Sequence, residues 1–191
     1  EETFLGNILG NWYLEIKRNL DRLSTAKETI SYGKLSGPVG NYTVVTPEIE
    51  DKTLNKLDLK AEKFASQIVS RDRYAEVVSA ISILASSYDR IAGNLRSYQR
   101  SEISEIFEPF KDGQKGSSAM PHKKNPIGSE RISGLSRIIR GYSVSSLENM
   151  VLWNERDISN SSVERIIIPD SFNIICFMTT ELTSIIKNMV I

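Results

Sequence analysis

The stretch 71–99 reads RDRYAEVVSAISILASSYDRIAGNLRSYQ. Val77, Val78, Ile81, Leu84, Ala85, Tyr88, Ile91, Ala92 and Leu95 recur at the i, i+3, i+4 spacing that lines one face of a helix. No proline interrupts them. At about 1.5 Å per residue the spacing predicts a helix roughly 40 Å long. A helix of that length with so continuous an apolar face needs long partners to cover it. The fold class is therefore all-α, a bundle of long helices.

The flanking sequence supplies the partners. Leu5, Ile8, Leu9, Trp12, Ile16, Leu20 and Leu23 form a second apolar stripe. Gly33, Gly37, Pro38 and Gly40 end that pattern, so 34–46 reads as a loop. Thr46-Pro47 opens a short helix, with a polar N-cap and proline at its first position, that runs to about Leu59. After the long helix, 101–110 reads as one or two further helical turns. Residues 111–126 hold Gly113, Gly116, Pro121 and Pro126 and read as a mobile loop, too long for a tight turn and of a kind that often carries function. A second long helix starts near Pro126, with Ile132, Leu135, Ile138, Ile139 and Tyr142 on one side. A short loop covers 153–159, and a last helix runs from about Pro169 to the end. The apolar faces are generous for one chain, which points to association between copies.

Composition narrows the function classes. The 191 residues are 40% hydrophobic and 25% charged, the balance of a soluble globular protein. Lys+Arg and Asp+Glu stand at 24 each, so no basic surplus supports a general grip on nucleic acid or anionic lipid. No run approaches the ~18 apolar residues of a membrane span. The single cysteine, Cys176, lies in the run Ile174-Ile175-Cys176-Phe177-Met178 and reads as a buried thiol. One cysteine cannot form a disulfide within the chain, which fits a reducing, cytoplasmic setting. The first residue is Glu and the last helix stops in mid-pattern, so the chain is expected to be part of a longer polypeptide, truncated at both ends.

The densest polar constellation is Gly116-Ser117-Ser118-Ala119-Met120-Pro121-His122-Lys123-Lys124-Asn125-Pro126, with Glu130 just beyond. Two hydroxyls follow a glycine. Two lysines and an amide lie six to eight residues after the first hydroxyl. A helix then begins, and its free N–H groups would add positive potential beside the lysines. The residue types suit an anion held next to a hydroxyl. By composition alone a solvated Gly/Ser/Lys loop is the favoured reading. A second polar tract, 153–165, reads WNERDISNSSVER. Ser161 and Arg165 are four apart and share a face if this tract is helical. Arg156, Ser161 and Arg165 suit a phosphate, but taken alone the tract reads more readily as surface pairing with Glu155, Asp157 and Glu164.

The loop resembles the GSSxMPxKxNPxxxE motif of the fumarase/aspartase superfamily, whose members release fumarate or a related acid by β-elimination. His122 and the ending Ile127-Gly128-Ser129-Glu130 resemble the adenylosuccinate lyase branch. The tract 153–165 resembles that branch's WxERDISxSSxER nucleotide-binding segment. Residues 34–40 and 66–73 also look like it, so the similarity extends over nearly the whole chain.

The resemblance implies a role for each residue. Ser117 would be the base that removes a proton next to a carboxylate, activated by donors, desolvation and nearby positive charge. Ser118 would assist or bind a carboxylate oxygen. Lys123 and Asn125 would hold the carboxylate on which charge builds. Glu130 would orient Lys123 or a partner histidine, unless it is only an acid favoured by the helix dipole. Arg156, Ser161 and Arg165 would contact phosphate and substrate carboxylate, and Gln67 the substrate. Ser66 stands where threonine is usual, and Asn154 and Asn160 where many relatives have histidine. The family's proton donor is a histidine of a segment expected upstream of residue 1, which leaves His122 a minor candidate for that role.

The resemblance also implies a central helical domain, a homotetramer whose active sites each draw on three subunits, a small-molecule substrate, and no metal or cofactor. The isolated chain would be inactive. Two other classes stay open: a cycloisomerase of the carboxymuconate type, which also tends to carry MPHK, and a non-catalytic helical assembly module.

Overall fold

The computed structural model describes residues 2–110, 113, 117, 119–120 and 122–191. Five helices carry the fold: α1 (Leu5–Ile30), α2 (Pro47–Asn55), α3 (Asp72–Tyr98), α4 (Ile127–Glu148) and α5 (Ile158–Asn188). Two-residue strands β1 (Tyr32–Gly33) and β2 (Lys60–Ala61) pair in parallel, Tyr32 opposite Lys60. The all-α expectation holds. Among the described residues no helix is long and apolar enough to cross a membrane.

Helix α3 is the axis, packed by α1, α4 and α5. Apart from Ile83, its apolar residues from Val77 to Leu95 are buried, Ala85 and Ala92 completely. They meet Trp12 and Ala26 of α1, Ile132 and Ile139 of α4, and Ile175, Met178, Leu182 and Ile185 of α5 in one core. The α3–α4 seam is lined by serines: Ser82, Ser133, Ser136 and Ser146 are buried, and the hydroxyls of Ser79 and Ser143 lie 3.5 Å apart. Such short side chains let two backbones come close without a bulky ridge between them. Asp89 closes the seam, accepting from the Ser136 hydroxyl at 2.9 Å and from the Arg140 guanidinium at 3.1 Å. Burial works against ionising Asp89, but hydrogen bonds from Ser133, Ser136 and Arg140 outweigh it and hold its pKa below the ordinary value.

Several boundaries differ from the sequence reading. Helix α2 stops at Asn55, four residues early, because Leu57 and Leu59 donate back to the Leu54 carbonyl instead of continuing the ladder. Residues 101–110 turn and then extend, and Phe107 pairs with Val190 by reciprocal backbone bonds of 2.8 and 3.0 Å. Helix α5 begins at Ile158, so Pro169 lies inside it rather than at its start. Pro169 is exposed, which leaves the carbonyl it frees open to water. Cys176 is exposed, not buried. The buried positions of α5 are Ile167, Ser171, Ile175, Met178, Leu182 and Ile185, and Cys176 sits one residue, about 100° of helix, off that stripe. Leu20 and Ile138 are likewise 61% and 43% exposed, so each stripe is narrower than its apolar spacing implies.

Candidate active site

The predicted residues gather in two clusters, one at each end of α3. At its C-terminal end, Arg96 of α3 and Arg100 just beyond it face Met120, His122, Lys123, Lys124 and Asn125 across a groove of about 1000 Å³. Upstream in the same strip, the Ser117 hydroxyl oxygen accepts from the backbone N–H of Ala119 at 3.3 Å and of Met120 at 3.4 Å. The Met120 carbonyl in turn accepts from the Lys123 N–H at 3.1 Å. A chain of backbone contacts thus links the hydroxyl to Lys123, one of the two residues expected to hold a carboxylate. The Lys124 ammonium lies 5.6 Å from the centre of the Phe110 ring. Glu130 is exposed in the first turn of α4. Ser118 lies outside the described residues.

The start of α4 is not an open anion site, contrary to expectation. The Glu108 carboxylate already occupies it, accepting from the N–H of Gly128 at 3.1 Å and of Ser129 at 2.6 Å. A Cβ at residue 128 would come within 2.7 Å of Ile185 Cδ1 and 3.3 Å of Glu108 Oε2, so a larger residue there would make the Ile185 side chain shift. Positive charge in the groove comes from side chains alone.

The other cluster forms where α3 begins and α4 gives way to α5. Gln67 is half-buried in the segment between β2 and α3. That segment is fixed from one side by Lys34, whose ammonium donates to the carbonyls of Gly37 and, at 2.5 Å, Ser66. Burial depresses the Lys34 pKa. Gly40 has a positive φ of 75°, and a Cβ there would sit 1.9 Å from the Ala65 carbonyl, so only glycine allows the approach. From the other side Ser66 donates to the Glu155 carbonyl at 3.4 Å. Arg71 grips Glu164 with two bonds of 2.6 and 3.1 Å.

Arg156 therefore stands beside the Gln67 segment, just ahead of α5, with Ser161 and Arg165 in the first turns of that helix. Arg156 and Arg165 are exposed. Neither of two acids expected to compete for them does so: Glu164 binds Arg71, and Asp157 caps α5 by accepting from the Ser159 N–H at 2.9 Å. That cap, with the Ser159 hydroxyl, holds the Asp157 carboxyl below its usual range. Ser161 donates to its own Ile158 carbonyl at 3.0 Å. The turn that presents Arg156 is locked by Asn149 and Asn160, each donating to the other's carbonyl at 3.0 and 2.6 Å.

These supports went unread in the sequence. Arg71 and Glu164 are 93 positions apart, and no periodicity links them. Asn160, which stands where many relatives are expected to have histidine, serves here as a buried lock on the Asn149 carbonyl. The two clusters do not meet within one chain. Gln99, the C-cap of α3, touches Lys124, whereas Arg71, its N-cap, touches Glu164. The 27 residues between those caps span roughly 40 Å.

The profile of the family described as lyase matches residues 3–141. The chain is 51% identical to the adenylosuccinate lyase of Thermotoga maritima over 189 residues, covering 99% of this chain and 44% of that protein. It is 49% identical over 180 residues to the enzyme of the same name from Aquifex aeolicus, covering 94% and 41%. Against the Bacillus subtilis adenylosuccinate lyase it is 46% identical over 191 residues, covering 100% and 44%. The chain thus spans less than half the length of these relatives. In structure it superposes on the 3-carboxy-cis,cis-muconate lactonizing enzyme of Pseudomonas putida with a TM-score of 0.85 at 23% identity, covering 98% of this chain and 42% of that one. The corresponding cycloisomerase of Acinetobacter calcoaceticus gives 0.83 at 22%, covering 98% and 41%. At such identities the likeness speaks for the fold alone, while the matched profile reaches from α1 into α4: the chain belongs to the lyase family.

Proposed function

We propose that this chain is the central helical portion of a cytoplasmic adenylosuccinate lyase, which eliminates fumarate from adenylosuccinate, leaving AMP, and from the succinyl-carboxamide ribotide. The observation that carries the reading is the strip in which Ser117 receives two backbone N–H groups while Lys123 and Asn125 line the adjoining groove. Each N–H aimed at the Ser117 oxygen lowers the energy of its anionic form, so more of the hydroxyl stands ready as the alkoxide that can take a proton. Ser117 removes the proton from the carbon beside a carboxylate. Lys123 and Asn125 hold that carboxylate as negative charge spreads onto it. The C–N bond then breaks, and an acid returns a proton to the departing purine nitrogen. Ser118 and Glu130 assist, the first at the carboxylate and the second by orienting Lys123. Gln67, Arg156, Ser161 and Arg165 bind the nucleotide end, with the guanidiniums on phosphate. Identity near 50% to enzymes named adenylosuccinate lyase favours this over the cycloisomerase reading, which rests on fold likeness at 22–23% identity.

A separation of roughly 40 Å between the clusters means that a complete site takes its two halves from different copies. A homotetramer with shared sites supplies that arrangement. Ile83, Val144, Leu147, Phe172 and Phe177 stay 41–60% exposed on α3, α4 and α5 and offer the apolar area such an assembly buries. His122 is the only histidine, and the family's donor histidine belongs to another segment, so the chain by itself is expected to be inactive.

The test is Ser117→Ala in the protein at the full length of its relatives. Loss of a base predicts a fall in kcat on the order of 10²–10⁴-fold in release of fumarate from adenylosuccinate. Unchanged turnover, or a parent enzyme that ignores adenylosuccinate, would overturn the reading.

A further inference from the structure

At the groove end, one side chain holds both stems of the loop. Gln99, the C-cap of α3, accepts from the Glu108 N–H through Oε1 at 2.9 Å and donates through Nε2 to the Lys124 carbonyl at 2.8 Å. Lys124 lies between Lys123 and Asn125, so this one bond fixes the peptide that joins the two carboxylate-binding residues. Glu108 continues the clamp with its two contacts to the first N–H groups of α4. Its neighbour Phe107 is tied to Val190 beyond α5. The strip 122–126 is thereby referred to three rigid elements at once: the end of α3, the start of α4 and the segment after α5.

The chemistry of Gln99 is specific to this task. The clamp needs a donor and an acceptor on one side chain, and a primary amide offers both. A glutamate would keep the acceptor for Glu108 but set a carboxylate oxygen against the Lys124 carbonyl. Without the clamp, the Lys124 peptide would lose its side-chain bond to the end of α3. Lys123 and Asn125 would then sample positions away from the carboxylate, and a displacement of ~1 Å at such a site is worth about 10² in rate.

We propose that Gln99 and Glu108 are positioning residues for the elimination: they set Lys123 and Asn125 in the groove without touching the substrate. The inference rests on the proposed lyase activity and on the groove as its carboxylate end. Its consequence is a selective effect. Variants at Gln99 disturb the dicarboxylate half of the site and leave the phosphate half, roughly 40 Å away along the chain, intact.

The experiment uses the protein at the full length of its relatives and compares Gln99→Ala, Gln99→Glu and Glu108→Gln with wild type. Four readouts are taken: kcat, inhibition by fumarate, inhibition by AMP, and the thermal midpoint with the oligomeric state. For Gln99→Ala and Gln99→Glu, kcat is expected to fall on the order of 10²-fold. Fumarate should inhibit more weakly, AMP should inhibit as in wild type, and the tetramer should persist. Glu108→Gln keeps an acceptor for the α4 N–H groups and should retain more activity than either Gln99 variant. An active wild type with Gln99 variants unchanged in kcat and fumarate inhibition would overturn this inference alone. Equal weakening of fumarate and AMP, with loss of assembly, would also overturn it, because the amide would then be general scaffold. A wild type that does not release fumarate from adenylosuccinate would overturn the functional reading and this inference with it.

Discussion

Asp89 shows how a single carboxylate ties two helices together and makes their union depend on pH. Its pKa in the folded chain lies below the ordinary aspartate value, because Ser133, Ser136 and Arg140 donate to the ionised form more than burial penalises it. The stabilisation is fully present above the ordinary aspartate pKa and is lost as pH falls through the lower, folded value. Asp89→Asn should therefore unfold at lower urea than the native chain at pH 7, and the gap should close in acid, near and below pH ~3–4. A gap that stays constant with pH would count against ionisation as the source. At this scale the sequence was legible where chemistry is contiguous. Ser117, Lys123 and Asn125 lie within nine residues and announce themselves. Gln99 and Lys124 are 25 apart and Arg71 and Glu164 are 93 apart, and nothing local in the sequence links such partners.

Elements show a different kind of legibility. The extent of α3 was readable almost to the residue, because its apolar positions continue in phase from Val77 to Leu95. The seam it makes with α4 was not. Serines read as surface residues in a one-dimensional pattern, yet Ser133 and Ser136 are buried and define how near the two helices come. That closeness predicts intolerance of added volume at the small positions of α3. Ala92 is fully buried, and Ala92→Leu should destabilise the chain by about 1–3 kcal/mol, measured by urea unfolding. A neutral outcome would mean that space exists beside Ala92. Helix α5 was misread at its start for a definable reason: Pro169 imitates a first-turn proline, while the true signal is the Asp157 side chain capping the Ser159 N–H. The start of α4 was misread for another. The acid that fills it, Glu108, comes twenty residues earlier from a segment with no helical rhythm.

At the scale of the whole molecule, the dominant fact is that Gln67 and Arg156 sit at one end of α3 and Lys123 and Asn125 at the other. If complete sites arise between copies, two defective proteins can repair each other. Full-length Ser117→Ala and full-length Arg156→Ala should each be nearly inactive. Dissociated and reassembled together, they should regain a measurable share of wild-type turnover, on the order of a quarter, as some sites receive two intact halves. No recovery in verified mixed tetramers would place both halves in one subunit. Helix α3 also acts as a ruler. Removing seven matched residues from α3 and α4 would keep their apolar stripes in phase and leave a packed bundle, yet shorten it by roughly 10 Å. If sites are shared between copies, each would lose its alignment together, and a count of helical turns would then set catalytic competence as firmly as the identity of any side chain.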